Sequence, residues 1–316
     1  MKEIGGFFEL ELSPGHHYQN DAMRLNSARS CLEQVLRVRK YQKVFVPYYT
    51  CEIVLQPFQL LHIEYEFYRI NEQLEPIELP DLKDNEAFLY TNYFGLKQSC
   101  VERLAQRYGK RLIVDNAQAF FAKPITGIDT FYSPRKFLGV PDGGYLYCDA
   151  PFDMEIPQSV SYDRMSHLLK RMDIGAEGGY GDFKHNDEAL AKQSIMRMSH
   201  LTEKILESVN YQRIINTRRN NYQLLADAIG TYNQLNFSLS EDAVPMVYPF
   251  MSNNKDLKKK LIENKIFVAT YWPNVMEWCT PCDWECLLAQ QGCFLPIDQR
   301  YGTEDMNRII DIVIGK

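Results

Sequence analysis

Asp115 and Lys136 are two residues of this chain whose types and setting suit a specific chemistry. Leu112, Ile113 and Val114 form a short apolar run that ends on Asp115. That is the pattern of a buried parallel strand with a carboxylate at its C-terminal tip, and ligands in open α/β sheets bind outside such tips. Gln118 follows closely enough to face the same crevice. Phe131, Tyr132 and Ser133 read as another short strand, and Lys136 follows in a loop stiffened by Pro134 and Pro141. Gly143 and Gly144 precede a third strand, 145–148. A carboxylate and an amine on neighbouring strand ends suit a pyridoxal phosphate (PLP) site. The amine forms the Schiff base, and the carboxylate keeps the pyridine nitrogen protonated so that the ring can draw electrons. Taken singly, a strand-end Asp is usually a turn or cap residue and a Lys is usually solvated; the combination is more specific.

The elements that must position these groups follow from the apolar patterning. Lys43–Pro47 reads as a buried strand with Tyr48, Tyr49, Thr50 and Cys51 at its tip. A helix through Phe58, a strand at 63–68 and a strand at 87–93 come next. Helical spacing over 101–108 stops at Gly109, a common helix end, and leads into the Asp115 strand. Strand, helix and strand in turn over residues 43–148 predict an α/β sheet with crossovers and a mainly parallel strand order. Ahead of it, a helix running to about Val38 would be capped by Asn26 or Ser27. Its free N–H groups form a natural phosphate site, the plainer reading being an ordinary capped helix.

Beyond Cys148 the pattern loosens. Residues 151–157 read as a turn-rich break and 162–171 as a helix. The glycine-rich stretch 175–182 follows no strand and is no dinucleotide fingerprint, so it reads as a mobile loop near the cleft. A long helical region over 201–229 joins a C-terminal part with strands at 244–251, 266–272 and 294–297 and helices at 256–264 and 304–314, the last capped by Thr303. The expected organisation is a large domain over 1–205, whose residues 1–23 are poorly placed and include a candidate edge strand at 4–12. A linking helix and small α+β domain follow over 206–316.

The bulk numbers exclude several function classes. With 316 residues, 45% hydrophobic and 24% charged, the composition is that of an ordinary globular protein of one large and one smaller domain. A formal net charge of -6 offers no basic surface for nucleic acid or anionic membrane. No apolar run is long enough for a membrane span, and the N-terminus carries acids where a signal peptide needs an apolar run. A cytoplasmic protein with reduced cysteines is expected. Cys279, Cys282, Cys286 and Cys293, spaced by two, three and six residues, match no common zinc or iron–sulfur pattern. They read as buried thiols, with no metal.

The segments Asp115–Ala119 and Pro134–Gly139 resemble the Asp-x-Ala-Gln-Ala and Pro-x-Lys-x-Leu-Gly segments of the DegT/DnrJ/EryC1/StrS sugar aminotransferases, which have the fold-type-I PLP architecture. The resemblance runs with gaps from about residue 24 to the C-terminus. It implies Lys136 as the Schiff-base lysine and proton carrier, Asp115 as the pyridine partner and Gln118 as donor to the ring hydroxyl oxygen. Ser133 joins the cofactor contacts. The family's phosphate loop aligns with Ser27–Leu32, where Ala28 and Arg29 replace a Gly-Thr pair. Backbone N–H groups, or the Arg29 charge, would then hold the phosphate. Tyr49 or Cys51 would lie over the ring. Ile195 stands where the family carries an Asn that reaches the partner subunit, with Ser194 or Arg197 as substitutes. The implied activity is transfer of an amino group from glutamate to a nucleotide-linked keto-sugar, for cell-surface polysaccharide biosynthesis, in a homodimer. Dehydratase members carry His in place of the lysine, so Lys136 favours transamination. A family member that binds PLP or a sugar nucleotide without turnover is the alternative, supported by the shortened N-terminal arm and the altered phosphate contacts.

Overall fold

The computed structural model describes residues 4–151 and 155–315; residues 152–154 of the expected break at 151–157 lie outside the described residues. Strands β1 (Met23–Leu25), β2 (Lys43–Pro47), β3 (Glu64–Tyr68), β4 (Glu86–Thr91), β5 (Leu112–Asn116), β6 (Asp129–Tyr132) and β7 (Gly144–Tyr147) form one sheet in the order β1-β7-β6-β5-β4-β2-β3. The strands from β3 to β6 are parallel, and β7 and β1 add antiparallel. β4 and β5 are buried along their whole length, as the near-continuous apolar runs of a sheet covered on both faces require. β3 alternates exposed and covered residues at the sheet edge.

Helices α1 (Ala28–Arg39) and α2 (Gln56–Leu61) cover one face. The other face carries the larger apolar cluster, which includes α3 (Gln98–Tyr108). α4 (Ser166–Ala191), α5 (His200–Glu207) and α6 (Tyr211–Ile229) follow, then β8 (Val247–Phe250), α7 (Leu257–Glu263), α8 (Val275–Trp278), α9 (Trp284–Gln291), β9 (Cys293–Pro296) and α10 (Thr303–Ile314). α6, α7, α10 and the antiparallel β8–β9 pair enclose a core of their own. No helix among the described residues is long and apolar enough to cross a membrane.

Several expectations change. The glycine-rich stretch is helical: α4 consists of two helical segments meeting at Gly175, whose φ of 84° breaks the helix. The segments fold so closely that a Cβ on Gly179 would stand 2.8 Å from the His167 carbonyl oxygen. Close packing, rather than looseness, accounts for that glycine. The helical region 201–229 is two helices, the second capped by the Asn210 side chain, which accepts from the Arg213 N–H at 3.0 Å. Residues 266–272 form no strand and make one bridge, Ala269 with Phe294. Residues 4–12 are exposed and pair with no strand. The α10 cap is Gly302, whose N–H donates to Asp305 at 3.0 Å, not Thr303. Cys279, Cys286 and Cys293 are buried and Cys282 is exposed. No group of three or more His, Cys, Asp or Glu among the described residues is arranged to hold a metal.

Candidate active site

The strand order reverses between β2 and β4, because β2 is followed outward by β3 and β4 is followed the other way by β5 and β6. A cleft opens outside the C-terminal ends of these strands, the expected ligand position in an open α/β sheet. Its volume is about 330 Å³, within the usual range of small-molecule sites. β2 delivers Thr50 and Cys51, β4 delivers Thr91, β5 delivers Asp115 and then Gln118, and β6 delivers Phe131 and then Ser133. Lys136 stands at the end of a single turn, Pro134–Lys136.

Asp115 is buried, and its carboxylate accepts from the Ala117 N–H at 2.8 Å. Burial pushes its pKa up, while the nearby Lys136 charge pulls it down. The Cys51 thiol is likewise pushed up by burial and lowered by Lys136. Both shifts place the Lys136 ammonium in the field of the two strand tips. The Gln118 amide has a fixed sense: its Oε1 accepts from the Phe94 N–H at 3.1 Å. Its Nε2 is buried and has no partner.

The start of α1 forms part of the cleft wall. Ser27 is the cap, its Oγ accepting from the Ser30 N–H at 3.0 Å. The N–H groups of Ala28 and Arg29, in the first turn, have no carbonyl of their own helix to bind. This helix start lies directly against β7: the Gly143 N–H donates to the Asn26 carbonyl at 2.7 Å. A Cβ on Gly144 would stand 2.4 Å from the Ser27 carbonyl carbon and oxygen. Gly143-Gly144 therefore lets a strand backbone touch a helix terminus.

Ser27, Ala28, Arg29, Cys51, Asp115, Gln118, Ser133 and Lys136 all line this one cleft. Tyr49 does not: it is fully buried, edge-on to the Trp272 ring at 5.0 Å. Of the two candidates for the strand tip, Cys51 lines the cleft and Tyr49 packs edge-on against Trp272. Arg29 needs a second correction. Its guanidinium turns away to the carbonyls of Leu190, at 3.3 Å, and Gln193, and pairs with Glu33 at 3.6 Å. The Leu190 carbonyl also accepts from the Gln193 N–H at 3.2 Å, and the two carbonyls with the Glu33 carboxylate together hold the guanidinium. Ser194 and Arg197 are not among the lining residues; the Asn26 side chain instead stitches residues 193–196 to the start of α1.

Sequence reasoning missed Trp272, Arg135 and Asp187, which also line the cleft. The Lys136 Nζ stands 5.9 Å from the centre of the Trp272 ring. Nothing in the local sequence announces Trp272, which arrives from the C-terminal part of the chain. Arg135 was legible only as the residue before Lys136.

No family model matches the chain, and no curated protein does. Solved structures do. An aminotransferase from Streptoalloteichus hindustanus matches with a TM-score of 0.67 at 13% identity, over 96% of this chain and 91% of that one. A DegT DnrJ EryC1 StrS aminotransferase from Brucella abortus matches with a TM-score of 0.64 at 14% identity, over 93% and 85%. The GDP-4-keto-6-deoxy-D-mannose-3-dehydratase of E coli, with bound hydrated PLP, matches with a TM-score of 0.62 at 13% identity, over 92% and 87%. The chain has the fold of these proteins. The family that the segments Asp115–Ala119 and Pro134–Gly139 resemble is the one named for the Brucella structure.

Proposed function

We propose that this protein is a PLP-dependent aminotransferase that moves an amino group from glutamate to a nucleotide-linked keto-sugar, in cell-surface polysaccharide biosynthesis. The observation that carries this reading is the opening of Lys136 and Asp115 onto one cleft, at the ends of a parallel sheet, which a helix N-terminus also lines. The acceptor, the donor and the pathway rest on the sequence resemblance.

The residues present fit PLP. The orphaned Gln118 Nε2 is a buried donor that lacks an acceptor, and the ring hydroxyl oxygen is an acceptor of the right kind. The N–H groups at the first turn of α1, with Ser27 and Ser133, suit a phosphate. Asp115, buried and strained toward the neutral form, gains a cationic partner in a protonated pyridine nitrogen. Bound there, PLP supplies an electron-withdrawing ring that stabilises negative charge at the substrate carbon. Lys136 would hold the cofactor covalently, and its Nζ, when free, would serve as the base that accepts the proton from the substrate carbon. Asp115 holds the ring charge throughout, and Trp272 and Cys51 shape the cleft around the Lys136 amino group. We further propose a homodimer with the sites near the interface. Leu169, Met172, Ile174 and Tyr180 of α4 are exposed apolar side chains on a helix whose last turn lines the cleft, which supports that reading.

The test is an absorbance spectrum of pure protein with PLP, followed by glutamate. Glutamate should convert the cofactor to its amine form. Uptake of PLP with no conversion by any amino donor would mark a binding protein instead. Borohydride reduction and peptide mapping should place the pyridoxyl label on Lys136; a label on another lysine rejects the assignment.

A further inference from the structure

Arg135 has a place in the cleft that its neighbours do not explain. It sits between the Ser133 and Lys136 positions, and its guanidinium is held by one carboxylate, its Nη2 donating to Asp187 Oδ1. Its Nε is buried and has no partner. A guanidinium carries donors in a rigid fork that matches two acceptor oxygens at once. Here one arm is engaged and an adjacent buried donor is idle, a state that costs free energy until an acceptor arrives. Asp187 is half-exposed, at 44% for its side chain, so water can take over its carboxylate if Arg135 turns away.

The pair stands at the helix-terminus end of the cleft. Asp187 is one turn before Leu190 and Ala191 on α4, and both of those residues line the cleft. The Leu190 carbonyl accepts from Arg29 in the first turn of α1. Ser27, Ser133, the α1 N–H groups and Arg135 therefore surround one end of the cavity. Arg29 is committed to two carbonyls and Glu33. That leaves Arg135 as the guanidinium with donors to spare.

We propose that Arg135 is the cation that binds the cofactor's phosphate, and that Asp187 competes with that phosphate for the guanidinium. This rests on the PLP reading above. The phosphate dianion offers the paired oxygens the guanidinium fork lacks, at a position where a helix terminus already favours an anion.

The test compares titrations with PLP and with pyridoxal, which has the same ring and aldehyde but no phosphate, followed by absorbance. Arg135→Ala should weaken PLP binding about 10- to 100-fold and leave pyridoxal binding unchanged, with Arg135→Lys intermediate. Asp187→Asn keeps the guanidinium and removes its competitor, so it should tighten PLP several-fold. This second variant carries the test if Arg135→Ala does not fold. Equal losses for PLP and pyridoxal, or an Asp187→Asn protein with unchanged or weaker PLP affinity, overturn the proposal. Unchanged PLP affinity in Arg135→Ala, with loss only of the glutamate reaction, assigns the cation to the donor carboxylate and also overturns it. A wild-type protein that takes up no PLP overturns this proposal and the aminotransferase reading together. Normal PLP uptake and glutamate conversion with an indifferent Arg135 sinks this one alone.

Discussion

Gly144→Ala separates a glycine the site requires from one that the sequence pattern merely contains. The added Cβ would lie 2.4 Å from the Ser27 carbonyl carbon and oxygen and 2.8 Å from the Ala28 nitrogen. All three are backbone atoms, so no side-chain rotation relieves the contact. Gly144 needs no left-handed φ, and the effect is therefore purely one of space. Restoring ordinary contact at about 3.5 Å moves the start of α1 away from β7 by roughly 1 Å. Overpacking of this kind costs about 1–3 kcal/mol, and the backbone contact places the change near the upper end. The same shift would stretch an N–H to phosphate distance from about 2.9 Å to about 3.9 Å, beyond hydrogen-bonding range. Losing one such charge-assisted bond, about 1.5–3 kcal/mol, weakens PLP binding about 10- to 100-fold. Gly139→Ala is the control. Its nearest neighbour would be Leu168 Cδ2 at 3.7 Å, an ordinary contact, and stability should change by less than about 0.5 kcal/mol. Urea unfolding and PLP titration of the two variants provide the comparison. If Gly144→Ala behaves like Gly139→Ala in both assays, the helix start is not held by the strand and the reasoning is wrong.

Asp115→Asn should abolish the glutamate reaction while raising the unfolding midpoint of the cofactor-free protein at neutral pH. Burial raises the folded-state pKa of Asp115, so its contribution to stability is fully present below the unfolded value of about 4 and is lost as pH rises through the folded value. Wild type and variant should therefore converge as pH falls toward 4 or below; a constant difference at every pH counts against the burial argument. Arg29→Ala should destabilise the fold by about 1–3 kcal/mol, through loss of the Glu33 pair and two carbonyl contacts. PLP affinity should stay within a few-fold of wild type, and a tenfold loss by titration would return Arg29 to the phosphate. Light scattering with PLP present should give a dimer at micromolar concentration, and a monomer there rejects the homodimer.

The sheet and the two strand-end groups were legible because the chemistry of a buried strand is local. Val114 and its neighbours are apolar because both faces of β5 are covered, and the apolar run ends where Asp115 reaches the cleft. Ser27 and Gly109 mark helix ends through short-range hydrogen bonds and backbone freedom, which a sequence carries on its face. The expectation of a strand at 266–272 failed for the converse reason. A strand exists only with partners, and this segment finds a single bridge to Phe294.

The sequence by itself determined a mainly parallel α/β sheet and the placing of Asp115, Ser133 and Lys136 at its strand ends, because apolar periodicity and breaker residues act within a few residues of themselves. Tertiary structure decided where the long side chains go. Arg29 at the first turn of α1 could reach forward into the cleft or back to Glu33, and carbonyls from residues 190 and 193 settled it. Trp272 faces Lys136, and Asp187 faces Arg135, only because distant segments fold over the same opening. A flexible side chain has many local options of similar energy, and its partner is chosen by whichever buried polar group the fold brings within reach.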